Sequence, residues 1–280
     1  MYQEAIKRGG VAVVTGAANG VGKVAARRFA AAGLSVVLAD RDADALAAAE
    51  TTIAAAATGN AEVIAVPTDV SDPDSVANLA DIAFKTGEIA VLMNNAGIGR
   101  PTGSWDNLDN WRQLIEVNLF GVIHGVHTFV PRMIEAGRPA VVINTGSKQG
   151  ITTPPGSPGY NVTKAGVKVV TEMLAHDLRE AGAPISAHLF VPGFTYTNMI
   201  ARVIPEKPAS AWTSEQTVDH FIERMAAGDF YILCPDNDVS PERDRARVAW
   251  AVGDIIENRP ALSRWHPEYT DAFAKHEAGT

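Results

Sequence analysis

Residues 11–22 read VAVVTGAANGVG, a short apolar run followed at once by a glycine-rich turn, and a helical pattern continues over residues 23–32. A strand that leads through such a turn into a helix is the setting of a dinucleotide-binding fingerprint. In that setting Gly16 permits the tight turn, Gly20 lets backbone approach a pyrophosphate, and Gly22 allows close helix–strand packing. Free N–H groups at the helix start favour phosphate. The alternative interpretation is an ordinary flexible turn.

Apolar runs of strand length alternate with helical patterns along most of the chain. The predicted strands are Val11–Thr15, Ser35–Ala39, Glu62–Pro67, Ile89–Asn94, Ala140–Thr145, Ile185–Val191 and Phe230–Cys234. The predicted helices are near Val21–Ala32, Ala43–Ala57, Pro73–Thr86, Trp111–Ala136, Pro158–Ala181 and Pro241–Asn258. This alternation favours an α/β fold, a single-domain, Rossmann-like, doubly wound sheet of about seven parallel strands with helices on both faces.

A tyrosine and a lysine stand at helical spacing in the motif Y-N-V-T-K, which begins at Tyr160 and ends at Lys164, and Ser147 lies upstream. Residues i and i+4 share one face of a helix, so the phenol and the ammonium would point into one site. A nearby ammonium favours phenolate and lowers the pKa of a tyrosine, as a proton shuttle near neutral pH requires. Alone, this motif is more typical of a surface tyrosine beside a solvated lysine, and the rest of the chain reverses that interpretation.

Taken together, the motifs resemble the short-chain dehydrogenase/reductase family, in its compact single-domain branch. They follow that family's order over roughly Gly10 to Thr197: T-G-x-x-x-G-x-G, N-N-A-G at residues 94–97, Asn118, Ser147, Y-x-x-x-K and Pro192-Gly193. The order of elements in the C-terminal part also broadly resembles bacterial aryl-alcohol Cα-dehydrogenases of the family.

The resemblance implies the roles of four catalytic residues. Tyr160 would be the acid in ketone reduction and the base in alcohol oxidation, and Lys164 would lower its pKa and hold a nicotinamide ribose. Ser147 would bind the substrate oxygen and stabilise charge developing there. Asn118 would keep a water in a proton relay behind Lys164; alternatively, it is a helix-interior asparagine with a local bond.

The choice between NAD and NADP depends on Asp40, which ends the second predicted strand about 20 residues after the glycine turn. A carboxylate there accepts hydrogen bonds from the adenosine ribose and repels a 2′-phosphate. Asn19 stands where many NADP-preferring relatives carry a basic residue. Arg41 follows Asp40 and could swing toward a phosphate. NAD is therefore favoured, with NADP as the alternative; Asp40 could also cap the next helix.

The family resemblance implies further cofactor contacts around the same sheet edge. The full predicted set is Gly16, Asn19, Gly20, Val21, Gly22, Asp40, Arg41, Asp69, Val70, Asn95, Ala96, Gly97, Tyr160, Lys164, Pro192, Gly193, Thr195 and Thr197. Asp69 and Val70 would line the adenine, residues 95–97 would pass the adenosine ribose, and the residues from Pro192 onward would flank the nicotinamide and pyrophosphate. Each of these could instead be structural.

Composition restricts the partners. The net charge is −8 over 280 residues, which argues against general nucleic-acid affinity because such affinity needs a basic patch. Cys234 is the only cysteine and has no His or acidic companions at metal-ligand spacing, so no disulfide and no metal site are expected. We found neither a signal-peptide core at residues 1–10 nor an apolar run of membrane-spanning length, so a cytoplasmic location is expected.

The predicted domain spans residues 1–280 and carries two peripheral features. A substrate lid is expected near residues 194–213, and a helical extension near 241–280 departs from the compact family pattern. The extension would dock on the core, join a subunit interface or cover the substrate pocket; the first two are favoured. The Pro/Gly-rich segment 152–159 is interpreted as a loop that positions the catalytic helix. Lys148 is interpreted as a solvated loop charge rather than an attractor of anionic substrate.

The sequence thus predicts an NAD(P)-dependent oxidoreductase that interconverts a secondary alcohol and a ketone, acting on a small molecule. Association into a homodimer or homotetramer is expected through the helices near 105–136 and 158–181, as in relatives. The alternatives are a non-catalytic dinucleotide sensor, and an epimerase or dehydratase on the same fold.

Overall fold

A parallel sheet of seven strands forms the centre of the protein, whose computed structural model describes residues 2–279. The strands are β1 (Val11–Thr15), β2 (Ser35–Asp40), β3 (Val63–Pro67), β4 (Ile89–Asn94), β5 (Ala140–Thr145), β6 (Ile185–Val191) and β7 (Tyr231–Leu233). They pair in the order β3-β2-β1-β4-β5-β6-β7, and every neighbouring pair is parallel. The predicted fold class is confirmed, and the strand bounds differ from the predicted ones only at their ends.

Helices cover both faces of this sheet, so the strands are buried on both sides. The helices are α1 (Tyr2–Lys7), α2 (Gly20–Ala31), α3 (Ala43–Ala54), α4 (Pro73–Thr86), α5 (Leu108–Leu114), α6 (Gly121–Ala136), α7 (Gln149–Thr152), α8 (Pro158–Glu180), α9 (Asn198–Ala201), α10 (Ser214–Ala226), α11 (Pro241–Ile256) and α12 (Thr270–Ala278). Side chains alternate along β1: Ala12 and Val14 face the core beneath α2, α3 and α10, while Val11 and Val13 face the core beneath α4, α6 and α8.

The predicted helix over 111–136 begins earlier and contains an irregular segment. A π-helical stretch, Ile115–Phe120, joins α5 to α6. Such widened turns are rare and are often found at functional sites. Asn118 lies within this stretch and is fully buried.

Helix α10 was missed by sequence analysis although its start carries a recognisable signal. The Thr213 hydroxyl accepts a hydrogen bond from the Gln216 backbone N–H at 3.2 Å, and the Gln216 side chain accepts one from the Thr213 N–H at 2.9 Å. This reciprocal pair is a capping box, which marks a helix N-terminus. The short helices α1, α7 and α9 were also missed, while the terminal helix α12 lies within the helical extension predicted near 241–280.

The C-terminal extension has its own small packed centre. Trp250 of α11 donates to Ser263 at 2.8 Å and lies 5.4 Å from the Phe273 ring of α12. The Arg259 guanidinium lies 4.0 Å from the Trp250 ring centroid and donates to Asp254 at 2.9 Å. These contacts hold the tail on α11, within the extension itself.

Within residues 2–279, one helix, Leu108–Ala136, is long and apolar enough to cross a membrane by length and composition, with a mean hydropathy of 1.2. A core helix of a soluble protein passes the same test. Here α6 packs on α4 and buries Phe129 and Met133 against the sheet. These contacts bury part of its apolar surface, and one such helix is weak evidence for a membrane span.

Candidate active site

The predicted site residues meet where the order of the strands reverses. Strands β1 and β4 are neighbours, β2 lies beyond β1, and β5 lies beyond β4. In open α/β sheets ligands bind in the crevice outside the carboxyl ends of the strands at such a point. The glycine turn follows β1, and the loop that begins at Asn95 follows β4.

The glycine turn has the geometry of a phosphate cradle. Gly16 has φ +66° and Gly20 has φ +55°, values that L side chains rarely adopt. A Cβ on Gly22 would lie 2.2 Å from the Gly16 carbonyl oxygen, so only glycine allows this close approach. Asn19 precedes α2 without a side-chain cap, because its side chain instead accepts a bond from Asn198 at 2.7 Å. The start of α2 therefore presents backbone N–H groups, and this suits a dinucleotide pyrophosphate.

Seven of the predicted cofactor residues line one pocket of about 90 Å³ beside this turn. They are Gly16, Asp40, Arg41, Asp69, Val70, Ala96 and Gly97. Thr68, Ile98 and Val117 complete the lining. A ribose and a base are partly apolar and partly hydrogen-bonding, and this mixture of glycines, carboxylates and valines fits them.

Asp40 is held at the mouth of this pocket by backbone. Its carboxylate accepts hydrogen bonds from the N–H groups of Ala18 and Asp42, each at 3.2 Å. The cap of α3 is Asp42, whose side chain accepts from the Ala45 N–H, so the alternative role for Asp40 as a helix cap is wrong. Arg41 is exposed, and it lies close enough to Asp69 to help lower the pKa of that carboxyl, after the larger effect of the Ser71 hydrogen bond.

The Asn95 side chain links neighbouring strand ends in this structure. Its side-chain N–H donates to the Thr15 carbonyl at 3.0 Å, and its carbonyl oxygen accepts from the Thr145 hydroxyl at 3.3 Å. The Thr15 hydroxyl in turn accepts from the Asn95 and Ala96 N–H groups at 2.9 and 3.0 Å. The ends of β1, β4 and β5 are thereby fastened together. A direct contact of Asn95 with the cofactor stays a prediction.

Tyr160, Lys164 and Ser147 come together as predicted. Tyr160 and Lys164 lie on α8, and the Lys164 Nζ is 5.7 Å from the centroid of the Tyr160 ring. The Tyr160 hydroxyl is hydrogen-bonded to Ser147, which follows β5. The Lys164 ammonium donates to the Thr145 carbonyl at 2.7 Å. Thr145 thus fixes the lysine, a contact that sequence reasoning missed because it uses backbone.

Burial controls the protonation of this group. It raises the pKa of the Tyr160 phenol, and the hydrogen bond to Ser147 lowers that pKa in part. Burial also lowers the pKa of Lys164 to about 8. The prediction that Lys164 lowers the tyrosine pKa is therefore wrong for this structure. Desolvation dominates and raises that pKa, and Ser147 is the group that favours phenolate. Tyr160 keeps part of its surface exposed although protein surrounds its phenol closely.

Asn118 clamps the loop after β4. Its side-chain oxygen accepts from the Ile98 N–H at 2.7 Å, and its N–H group donates to the Ile98 carbonyl at 3.0 Å and to Thr163 at 3.4 Å. A Cβ on Gly97 would lie 3.3 Å from that oxygen and 3.8 Å from the Lys164 Nζ. Asn118 therefore adjoins the lysine, and its bonds reach well beyond the local turn. The water relay stays a prediction.

The segment after β6 closes over the glycine turn. Pro192 and Gly193 end the strand, and a bridge between Thr195 and Trp212 closes the base of the predicted lid. The Thr197 methyl lies 3.2 Å from where a Gly20 Cβ would be. The Thr195 hydroxyl is buried and bonds to Thr217 at 2.9 Å. Thr197 is thus placed beside the predicted phosphate site, whereas the Thr195 side chain points into the protein.

Lys148 is not the solvated loop charge that the sequence suggested. Its ammonium lies 2.6 Å from an Asp244 carboxylate oxygen and 3.7 Å from one of Asp236. Its Nζ is fully buried, so its charge is balanced by this ion pairing. That interpretation was wrong because both carboxylates come from distant parts of the sequence.

A larger cavity, of about 340 Å³, lies at the opposite edge of the sheet. It is bounded by the turns at Gly10, Gly33, Gly59 and Gly87 and contains none of the predicted site residues. Size alone therefore does not locate the site, because the predicted cofactor residues line the smaller crevice at the strand reversal. Among residues 2–279 no group of three or more His, Cys, Asp or Glu side chains is arranged to hold a metal ion.

The chain matches known proteins over most of its length. Residues 10–208 match the family model described as short chain dehydrogenase. The chain is 35% identical over 275 residues to a 1-deoxy-11-beta-hydroxypentalenate dehydrogenase of Streptomyces exfoliatus, covering 95% of this chain and 98% of that protein. It is 35% identical over 195 residues to 3beta-hydroxysteroid dehydrogenase 2 of Eggerthella lenta, covering 68% of this chain and 73% of that protein.

A solved structure with a bound cofactor has the same fold. A short chain dehydrogenase/reductase from Burkholderia phymatum, solved in complex with NAD, aligns with a TM-score of 0.80 and 33% identity over 90% of this chain and 95% of that one. The resemblance inferred from the motifs is thereby confirmed. This protein belongs to the short-chain dehydrogenase family.

Proposed function

We propose that this protein is an NAD-dependent dehydrogenase that interconverts a secondary alcohol and a ketone. The observation that carries this proposal is the group of Tyr160, Ser147 and Lys164, which sits beside a glycine turn fit for a dinucleotide. A non-catalytic sensor does not require a phenol, a serine hydroxyl and an ammonium in one place.

Each of these side chains has a defined task in the proposed reaction. Tyr160 accepts the hydroxyl proton during alcohol oxidation and returns it during ketone reduction. Ser147 holds the substrate oxygen and stabilises the charge that develops there. Lys164, fixed by the Thr145 carbonyl, would hold the nicotinamide ribose. Asn118 positions the loop over Lys164, and a proton relay would run behind that lysine.

The cofactor residues divide into two regions. The glycine turn with Asn19, Gly20 and Val21 would hold the pyrophosphate, and Asp40, Asp69, Val70 and residues 95–97 would hold the adenosine. Pro192, Gly193, Thr195 and Thr197 would flank the nicotinamide end. When bound, a nicotinamide cofactor supplies or accepts the hydride, and the protein supplies orientation and charge.

NAD is the proposed cofactor in preference to NADP because of Asp40. Its carboxylate is fixed by two backbone N–H groups at the pocket mouth and would accept bonds from the ribose hydroxyls. A 2′-phosphate placed there would meet this fixed negative charge. Arg41 opposes this preference, because its exposed guanidinium lies near the mouth of the same pocket and could swing toward a 2′-phosphate.

The proposed substrate is a small molecule with an apolar frame. The two similar dehydrogenases act, by their names, on a hydroxypentalenate and on 3beta-hydroxysteroids. The lid carries Phe194, Tyr196, Met199 and Trp212, and the Met199 sulfur lies 3.4 Å from where a Gly99 Cβ would be. An apolar lid meeting the loop after β4 would exclude water from the reacting oxygen.

Association through α8 is proposed, with the cytoplasm as the expected location. Val162, Val169 and Met173 are 50%, 54% and 54% exposed and recur along one side of α8. An exposed apolar stripe of this kind suits a second copy of the same helix.

The direct test is NADH formation from NAD over a panel of secondary alcohols that includes aryl carbinols, polyols and 3β-hydroxysteroids. We expect turnover with NAD that exceeds turnover with NADP. Tyr160→Phe should lose it, while Tyr2→Phe, a matched change in α1, should keep it. Binding of NADH by the wild type without turnover on any alcohol would favour the sensor, and absence of NADH binding would contradict the proposal altogether.

A further inference from the structure

The loop that carries Ser147 is tied to the C-terminal extension by a buried ion cluster made of Lys148, Asp236 and Asp244. The side chains of the two aspartates are only 6% and 8% exposed, and that of Lys148 is 20% exposed. Burial of this kind is costly unless charges are paired. The cluster joins the residue after Ser147 to the loop after β7 and to the first turn of α11.

Asp236 connects the cluster to the base of the predicted lid. One carboxylate oxygen accepts from the backbone N–H groups of Asp238 and Val239, at 3.1 and 2.8 Å. The other accepts from the Phe194 N–H at 3.2 Å and faces Lys148 at 3.7 Å. One side chain thus contacts the segment after β7, the start of the lid and the catalytic loop.

Asp244 connects the cluster to α11. Burial raises the pKa of its carboxyl, and the bond to Lys148 is the largest effect in the opposite direction. Arg247, one turn further along α11, also favours the charged carboxylate and is itself paired with Glu277 at 3.1 Å. Lys148 is therefore the direct partner that makes a charged Asp244 tolerable at this position.

The cluster reaches the catalytic residues through α7. Helix α7 starts directly after Lys148 and packs between α11 and α8. At Gly150 the contact with α8 is so close that a Cβ would lie 2.4 Å from the carbonyl carbon of Lys164. Any shift of α7 would therefore be felt at Lys164 and at Ser147, the hydrogen-bond partner of Tyr160.

We propose that Lys148, Asp236 and Asp244 are positioning residues, which use the C-terminal extension to hold the Ser147 loop and the base of the lid in reacting geometry. This inference rests on the proposed dehydrogenase function. It makes the extension part of the active-site architecture rather than an appendage. None of the three side chains needs to touch substrate or cofactor for this role.

The test is Asp244→Asn, which keeps the size of the side chain and removes the charge. Arg245→Met, at the next position on α11, is the matched control because its pair with Glu242 is exposed. Hydrogen–deuterium exchange should become about tenfold faster over residues 147–152 and 193–198 in Asp244→Asn and stay unchanged in Arg245→Met. Unchanged exchange in Asp244→Asn would overturn the proposal. This measurement needs no substrate, so it remains decisive even if no alcohol is oxidised and the proposed function fails.

Kinetics then separate positioning from mere stability. With the alcohol that the wild type oxidises, kcat per NADH-binding site should fall about tenfold in Asp244→Asn and in Lys148→Met, with the Kd for NADH unchanged. Asp244→Glu, which keeps the charge, should recover part of the loss. A purely structural role would lower the melting temperature and the fraction of active sites without changing kcat per site, and that result would contradict the proposal.

Discussion

At the scale of single residues, a phenol, a hydroxyl and an ammonium meet in one corner, where β5 ends and α8 begins. The Tyr160 phenol is stabilised in its neutral form by burial, and Ser147 opposes this. Lys164 is fixed by a backbone carbonyl at 2.7 Å. Protonation in this corner is therefore decided by burial and a few directed contacts.

Replacing Tyr160 by Phe should remove the proton donor and acceptor while keeping the ring. We expect kcat to fall about 10²- to 10⁴-fold, the usual contribution of a positioned acid or base. Fluorescence titration should show NADH binding close to that of the wild type. Retention of kcat in the variant would mean that another group carries the proton.

The pH dependence of alcohol oxidation should follow the Tyr160 phenolate. Because burial raises the pKa of this phenol, phenolate is scarce at neutral pH, and the oxidation rate should climb as the pH rises toward that raised pKa. Ketone reduction uses the neutral phenol and should fall over the same range. Lys164 is the titratable residue beside Tyr160 on α8, and burial lowers the pKa of Lys164 to about 8.

Ser147→Ala provides a check on that assignment. The Ser147 hydrogen bond lowers the tyrosine pKa, so its removal should move the oxidation profile to higher pH as well as lower kcat. Stopped-flow rates across pH measure both effects. A profile that stayed in place or moved to lower pH would show that Tyr160 does not control it.

Asp40→Asn should relax the preference for NAD. Loss of the fixed charge removes repulsion of a 2′-phosphate and leaves Arg41 free to act, so kcat/KM with NADP should rise roughly tenfold, equivalent to about 1.4 kcal/mol. Asp44→Asn, an exposed change in the first turn of α3, is the control and should leave the NAD/NADP ratio unchanged. An unaltered ratio in Asp40→Asn would show that Arg41 or another residue sets the preference.

At the scale of elements, the site depends on how strands and helices end. The uncapped start of α2 presents N–H groups, and the π-helical stretch places Asn118 where it clamps Ile98. In an isolated helix, the uncapped N–H groups and the widened turn would both be destabilising. Here each faces the crevice, where a ligand or a loop uses the exposed groups.

Gly22→Ala should disrupt the glycine turn because its Cβ would lie 2.2 Å from the Gly16 carbonyl oxygen. Overpacking of this kind costs about 1–3 kcal/mol. We expect a lower melting temperature and a large loss of NADH affinity, measured by thermal melting and calorimetry. Gly182→Ala, at φ +62° with open space around it, should cost stability alone and leave NADH affinity intact. Equal NADH affinity in the two variants would contradict the phosphate-cradle role.

At the scale of the whole molecule, the exposed stripe on α8 is the surface where we expect association. Its helix also carries Tyr160 and Lys164, so pairing through this stripe would brace the catalytic helix from outside. The sheet and α7 pack against it from inside.

Val169→Lys with Met173→Lys should therefore yield monomers, because charge would be buried in an apolar contact. Sedimentation velocity should show the wild type as a larger species and the double variant as a single chain. Ile255→Lys, at an 84% exposed apolar position on α11, is the matched control and should leave the assembly unchanged. A monomeric wild type would contradict the prediction of association.

Local patterns were enough for much of the fold and the site. Continuous apolar strands separated by helical periods predicted the parallel sheet, and the glycine turn, with Tyr160 and Lys164 one helical turn apart, predicted the site. Helix α10 was missed although Thr213 and Gln216 mark its start and its apolar residues recur at helical spacing, at Val218, Phe221, Ile222 and Met225. These features are local, and each is set by a few neighbouring residues.

By itself, the sequence determined which residues end each strand, which turn needs glycine, and which side chains share the catalytic helix. Only the tertiary structure decided the pKa balance at Tyr160, where burial outweighs the neighbouring lysine, and the fate of Lys148, which pairs with Asp236 and Asp244. Burial and long-range ion pairs depend on segments that are far apart in the chain. No local pattern encodes them, because the energy of a charge is set by the neighbours that folding brings to it.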